Sequence, residues 1–207
     1  MGSVNDVGYL TEDIFDEIEF EAARSGDHAS AARRMAELAD TYPRDYAISR
    51  AEALTRSGEQ WELAERPEEA AVMYRKAIED GGETWLDARA FLVGPLLRMG
   101  SETEARQIIA ELRADNPQNP KVYEWVAEAL FDAGDMAGAA DWATAGARHL
   151  IGAIERSGRD VMDLVSPDTD YVDLQDLLRI RYRARIDQGL GEDDLDALVD
   201  YKKSPNG

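Results

Sequence analysis

The side chains of this chain whose types could do chemistry are two histidines, two knots of aspartate and a run of alternating arginines. A histidine is the usual general base near neutral pH. His28 falls in a short turn and His149 far along a later helix, so the pair is not expected to meet. No serine sits in a nucleophile-elbow pattern, and no glycine-rich loop could cradle a phosphate. Asp168, Asp170 and Asp173, and again Asp193, Asp194 and Asp196, could in principle gather a calcium ion. Neither knot carries the central glycine and terminal glutamate of a twelve-residue calcium loop. They read as solvated loop and helix-start carboxylates, with no metal and no cofactor implied. Arg179, Arg181, Arg183 and Arg185 invite a nucleic-acid reading. Alternate residues on a helix scatter around its circumference, however, so the run reads as a solvated or acid-paired face. Adhesion to acidic parts of the same chain is the intermediate option. No catalytic residue is expected, and the chain reads as a non-enzyme.

Charge narrows the partners. Over 207 residues, 43 Asp and Glu stand against 23 Lys and Arg, a formal net charge of −20. Such a field repels nucleic acid and anionic membranes and favours basic partners. The absence of cysteine removes disulfides, thiolate zinc sites and cysteine nucleophiles together. No apolar run approaches the roughly 18 residues of a spanning helix. The opening "MGSVNDVGYL" lacks the regions of a signal peptide, and Asp6 breaks the myristoylation pattern. The expectation is a cytoplasmic protein, with 44% apolar residues, enough to build a core as one large domain or two small ones.

What positions these residues is set by helical spacing. Residues 67–82 read "PEEAAVMYRKAIEDGG", and Ala70, Tyr74 and Ala77 fall on one stripe of an α-helix. A small–large–small stripe marks a close helix–helix approach with one ring filling the gap. The stripe recurs. Ala31, Ala70, Ala105 and Ala139 align at intervals of 39, 35 and 34 residues. The large member is Met35, Tyr74 or Ile109, shrinking to Ala143, and the third is Leu38, Ala77, Leu112 or Gly146. Five residues before each aligned alanine stands Gly26, Glu65, Gly100 or Gly134, and glycine suits a tight turn. Twelve residues after it come Pro43, Gly82 and Pro117, which stop the second helix. Ile151 takes that place in the fourth copy, so its second helix is expected to run on. The chain thus divides into helix–turn–helix windows 12–45, 51–84, 86–119 and 120–153. Before them lies a tail over 1–11. After them come a loop and capping helices over 154–200, then a disordered tail over 201–207.

Four such copies in near-constant register resemble the tetratricopeptide repeat (TPR) family over residues 12–153, apart from the gap at 46–50. The second copy, "AEALTRSGEQWELAERPEEAAVMYRKAIEDGGET", is the closest, with Gly58 and Trp61 in its first helix. The resemblance implies an all-α, right-handed superhelical solenoid of four repeats closed by a capping helix. Three departures stand out: Glu19 replaces a small residue, Glu65 replaces the turn glycine, and Gly94-Pro95 interrupts the first helix of copy three. An interior proline loses a hydrogen bond and clashes with the preceding turn, which predicts a kink there. Beyond the repeats, Leu174, Leu177, Leu178, Tyr182 and Ile186 space out the capping helix in "LQDLLRIRYRARIDQGL". "EDDLDALVDYKK" reads as a short helix with acids at its start, favourable for the helix dipole.

The resemblance also implies a concave groove lined by the second, fifth, ninth and twelfth residue of each window. In copy one these are Asp13, Asp16, Phe20 and Ala23, and in copy two Glu52, Thr55, Glu59 and Glu62. Copy three supplies Asp87, Ala90, Gly94 and Leu97, and copy four Lys121, Glu124, Glu128 and Phe131. Eight of these sixteen are acidic, where 43 acids in 207 residues would place about three. TPR proteins that grip chaperone carboxylates use Lys, Arg and Asn at such positions, so that role has the wrong sign here. The expected function is a protein-interaction module holding a basic or basic–apolar segment, anchored near Phe20, Leu97 and Phe131 and steered by carboxylates. The alternatives are a homo-oligomeric scaffold, a small acidic export chaperone, or an accessory or regulatory subunit of an enzyme complex.

Overall fold

Local chemistry sets most helix starts. Ser49, Asp87, Asn119, Asp135 and Asp168 each accept a hydrogen bond from a backbone N–H in the first turn of the helix that follows. Pro67 and Pro120 occupy first-turn positions, where a missing N–H costs nothing. The computed structural model describes residues 11–41, 48–166 and 168–199, and every regular element among them is helical. The expected tail at 1–11, apart from Thr11, the tail at 201–207 and the Pro43 stop lie outside the described residues. The chain divides into two compact units, Met1–Met99 and Gly100–Gly207. The division falls inside the third window.

The first unit holds α1 (Glu12–Ser25), α2 (His28–Thr41), α3 (Arg50–Leu63), α4 (Pro67–Asp80) and α5 (Ala88–Arg98). Each helix packs on the next, and α3 also touches α5. The second holds α6 (Glu102–Asp115), α7 (Pro120–Asp132), α8 (Met136–Arg156) and α9 (Thr169–Asp187), with 3-10 turns at Val161–Asp163 and Asp196–Leu198. There α8 lies between α7 and α9, which also touch each other. This is an all-helical, repeat-like architecture built from packed consecutive helices.

The repeated stripe is the core. Ala70, Tyr74 and Ala77 are buried, as are Ala105, Ile109 and Leu112, and Ala139, Ala143 and Gly146. The gap that Tyr74 fills is left by Gly58 on α3. A Cβ at that position would stand 2.4 Å from Tyr74 Cε1. On its other side the Tyr74 ring stacks on Phe91 at 5.5 Å. Gly146 does the same for α7 and α9, since a Cβ there would meet the Tyr123 Cβ at 2.5 Å and a Leu177 methyl at 2.9 Å. The turn position also behaves as aligned. Gly26, Gly100 and Gly134 have φ of 76°, 73° and 83°, and Glu65 adopts φ 58° in the same left-handed region.

Two later details differ from expectation, while α5 runs through Pro95 as far as Arg98. It begins only at Ala88, so the proline removes one hydrogen bond late in a short helix whose side chains are well buried. The capping helix α9 begins five residues before Leu174, because Asp168 caps it. The acidic-first segment near the C-terminus forms one 3-10 turn, with Asp196 buried.

Gly58→Ala is expected to lower stability by roughly 1–3 kcal/mol, the usual range for overpacking a filled site. Glu65→Gly should raise it by about 1 kcal/mol by relieving a left-handed L-residue. Urea unfolding checks both, and wild-type stability in Gly58→Ala would contradict the interlock.

Candidate functional site

The acidic groove positions expected in the first unit fall on α1 and α3, apart from Asp87 just before α5. On α3, offsets of three and four put Glu52, Arg56 and Glu59 on one face. On α1 the same spacing aligns Glu12, Asp16 and Glu19. The Arg56 guanidinium bridges the two helices. Its nitrogens donate to Glu12 Oε2 at 2.6 Å, Asp16 Oδ1 at 2.9 Å and Glu19 Oε1 at 2.7 Å. It also lies over the Phe15 ring, 5.2 Å from its centre. Burial works against the Arg56 charge, but the three carboxylates outweigh it and hold its pKa above the ordinary value. Glu19, which departs from the repeat pattern, is thus one leg of a four-residue ion-pair cluster.

Further along α3 the carboxylates meet different fates. Glu52 accepts the Trp85 backbone N–H at 3.0 Å, and burial raises its pKa. Glu62 accepts the Tyr74 hydroxyl at 2.7 Å and pairs with Arg98. Between them Glu59 is half-buried and takes part in no hydrogen bond or ion pair among the described residues. Burial first, then the charges of Glu52, Glu19 and Glu62, push its carboxyl up to about 7 against the opposing pull of Arg56. Near neutral pH this group is therefore far more readily protonated than an ordinary glutamate.

The other predicted positions of this unit divide. Asp13 and Phe20 are exposed, Phe20 at 70%. Leu97 is half-buried. Thr55 is a correction: it is wholly buried and donates its hydroxyl to the Ala51 carbonyl at 3.0 Å, so it cannot line a groove. Asp87 is likewise a structural residue. It caps α5 and is clasped by Arg89 Nε at 3.0 Å and Nη2 at 2.7 Å. Burial opposes its charge, but Arg89 wins and lowers its pKa.

In the second unit the face of α7 meets α9. Lys121 Nζ lies 2.8 Å from Glu124, 3.2 Å from Asp173 and 3.4 Å from Asp176. Burial disfavours the Lys121 charge, yet Glu124 and Asp173 raise its pKa above the ordinary range. Burial raises the Glu124 and Glu128 carboxyls. Phe131 lies beneath Arg183, whose guanidinium carbon is 4.4 Å from the ring centre. The one basic groove position is therefore neutralised from within, and the expected Phe131 anchor is partly covered.

Two of the four arginines in the run pair with two aspartates of the second knot, while the first knot pairs with other cations. Arg181 is buried and pairs with Asp193 and Asp196, and Arg185 pairs with the same two at 3.3 and 3.1 Å. Asp168 and Asp170 both bind Arg159. The reading of these aspartates as solvated fails at Asp173 and Asp196, which are 8% and 1% exposed. His28 Nδ1 lies 2.8 Å from Gln60 Oε1, and His149 stacks on Tyr123 at 5.8 Å. Among the described residues no three His, Asp or Glu side chains gather as metal ligands, and no helix is long and apolar enough to cross a membrane.

No protein-family model matches the chain, and no curated protein matches it significantly.

The Glu59 carboxyl predicts a pH signature. Below its unfolded pKa of 4.5 both states hold the proton and nothing is lost. From there up to about 7 the unfolded chain ionises while the folded one does not, so stability falls as pH rises. Glu59→Gln removes that penalty. Its stability gain over wild type should be larger at pH 8 than at pH 5 in parallel urea melts, and an equal gain at both would contradict it.

Proposed function

We propose that this chain is a non-catalytic, TPR-like protein-interaction module, and that its first unit holds a basic or basic–apolar protein segment against the acidic face of α1 and α3. The observation that carries the reading is Glu59, a half-buried carboxyl flanked by Glu52 and Glu62 that makes no ion pair among the described residues. Arg56 is already shared among Glu12, Asp16 and Glu19. A lysine or arginine from a partner would supply what is missing at Glu59, and the carboxyl would give up its proton on pairing. Phe20 stands one turn beyond Asp16 on α1 and offers an apolar contact at the same face. The net charge of −20 would steer such a segment inward.

The second unit supports the reading less. Its α7 carboxylates are engaged with Lys121, so reversing Glu124 would break internal pairs as well as any partner contact. Glu59 is the cleaner position to change.

A fluorescein-labelled peptide of alternating lysine, arginine and leucine should bind the full chain at low salt. Its affinity should fall severalfold by 500 mM salt as the carboxylates are screened. Glu59→Gln should weaken binding about fivefold or more, on the order of 1 kcal/mol, while Glu37→Gln on α2 should leave it unchanged. Equal affinity of wild type and Glu59→Gln in anisotropy titrations would overturn the assignment.

A further inference from the structure

The chain after α9 is held in an unusual way for so short a piece. Residues 188–199 contain one 3-10 turn, and only Asp196 and Val199 among them are buried. What fixes the segment is charge. Arg181 and Arg185, one turn apart on α9, both reach Asp193 and Asp196. Arg181 is 3% exposed, and its Nε also donates to Thr144 Oγ1 on α8 at 2.8 Å. Arg185 donates further to the Gly191 carbonyl at 2.6 Å. The Gln175 amide donates to the Leu198 carbonyl at 3.0 Å, and Leu198 borders a small cleft with Tyr171 and Leu174. The link to α9 passes through Gly189, at φ 69°, and Gly191.

These features have the form of a site and its occupant. Two arginines on one helical stripe make a basic fork in a strongly acidic chain. The bound segment presents two carboxylates three residues apart, with an aliphatic side chain three residues further on. It buries little apolar surface, so its local opening needs far less free energy than unfolding the helices beneath it. A buried ion pair is stable only while both partners are present. Any segment that brought the same carboxylates to the fork would restore those pairs, but it must outcompete a tethered rival held at a high local concentration.

We propose that residues 191–199 are a tethered pseudo-ligand occupying a docking site on α9. An acidic–apolar peptide segment from a partner protein, carrying carboxylates at the spacing of Asp193 and Asp196, displaces them. The site is separate from the α1–α3 face and takes ligands of the opposite charge.

The probe is a labelled peptide with the sequence of residues 191–199, titrated into the full chain by anisotropy. Wild type should bind it weakly, because its own segment competes at a high local concentration. The full-length double variant D193N/D196N should keep its helical circular dichroism and bind the peptide at least tenfold more tightly. Adding R185Q to that variant should abolish the gain. Equal binding by wild type and double variant, binding by neither, or binding that survives R185Q would each overturn the proposal. So would loss of helical signal in D193N/D196N, since the segment would then be an inseparable part of the fold.

Discussion

The ring of Tyr74 seated against Gly58 is the contact on which most of the first unit depends. A single helix pair of this length cannot bury enough apolar surface to offset its conformational entropy, so each pair must close on its neighbours. Closure at α3 and α4 is possible only because position 58 has no Cβ. The same ring then stacks on Phe91 and carries packing from α4 to α5. Its hydroxyl ends on Glu62, one turn from Glu59. Packing and site are thus coupled through one side chain: the interlock sets where α3 lies, and α3 carries the face that bears Glu59.

The acidic character of the chain is distributed unevenly in its consequences. Most of the notable carboxylates are answered internally by a few cations. Arg56 joins three of them, Lys121 another three, and Arg181 with Arg185 holds the last two. Exposed pairs of this kind contribute little each, but a shared and largely buried cation fixes geometry between elements far apart in sequence. Against that background a half-buried carboxyl with no ion pair among the described residues is informative. Net charge alone would make any surface of this chain look like a cation-binding face. Glu59 differs because its surroundings raise the free energy of its ionised form, so an arriving cation gains more there than at a solvated acid.

The helical framework was legible because it rests on short-range periodicity. Ala70, Tyr74 and Ala77 recur at near-constant intervals, and the four turns fall where Gly26, Glu65, Gly100 and Gly134 align. Even Glu65, the one non-glycine, takes the left-handed backbone that its alignment demands. The site was legible only in part. A fixed register of groove positions cannot distinguish a side chain that points outward from one that bonds its own helix, as Thr55 does, or caps the next one, as Asp87 does. The missing information was long-range pairing. Arg56 meets α1 across some forty residues of chain, and nothing in its immediate neighbourhood announces that. A trace was present in the acid stripe of Glu12, Asp16 and Glu19, whose spacing calls for a facing cation. The arginine run was ambiguous for the same reason: alternate spacing scatters the side chains, and only the returning C-terminal segment selects Arg181 and Arg185.

The central claim is that Glu59 is a destabilised carboxyl waiting for a cation. The most direct measurement is a carbon-detected NMR titration of the Glu59 side-chain carboxyl in the full chain. A midpoint close to 7 is predicted from its burial and its acidic neighbours. A midpoint near 4.5, the value of an ordinary glutamate, would contradict it.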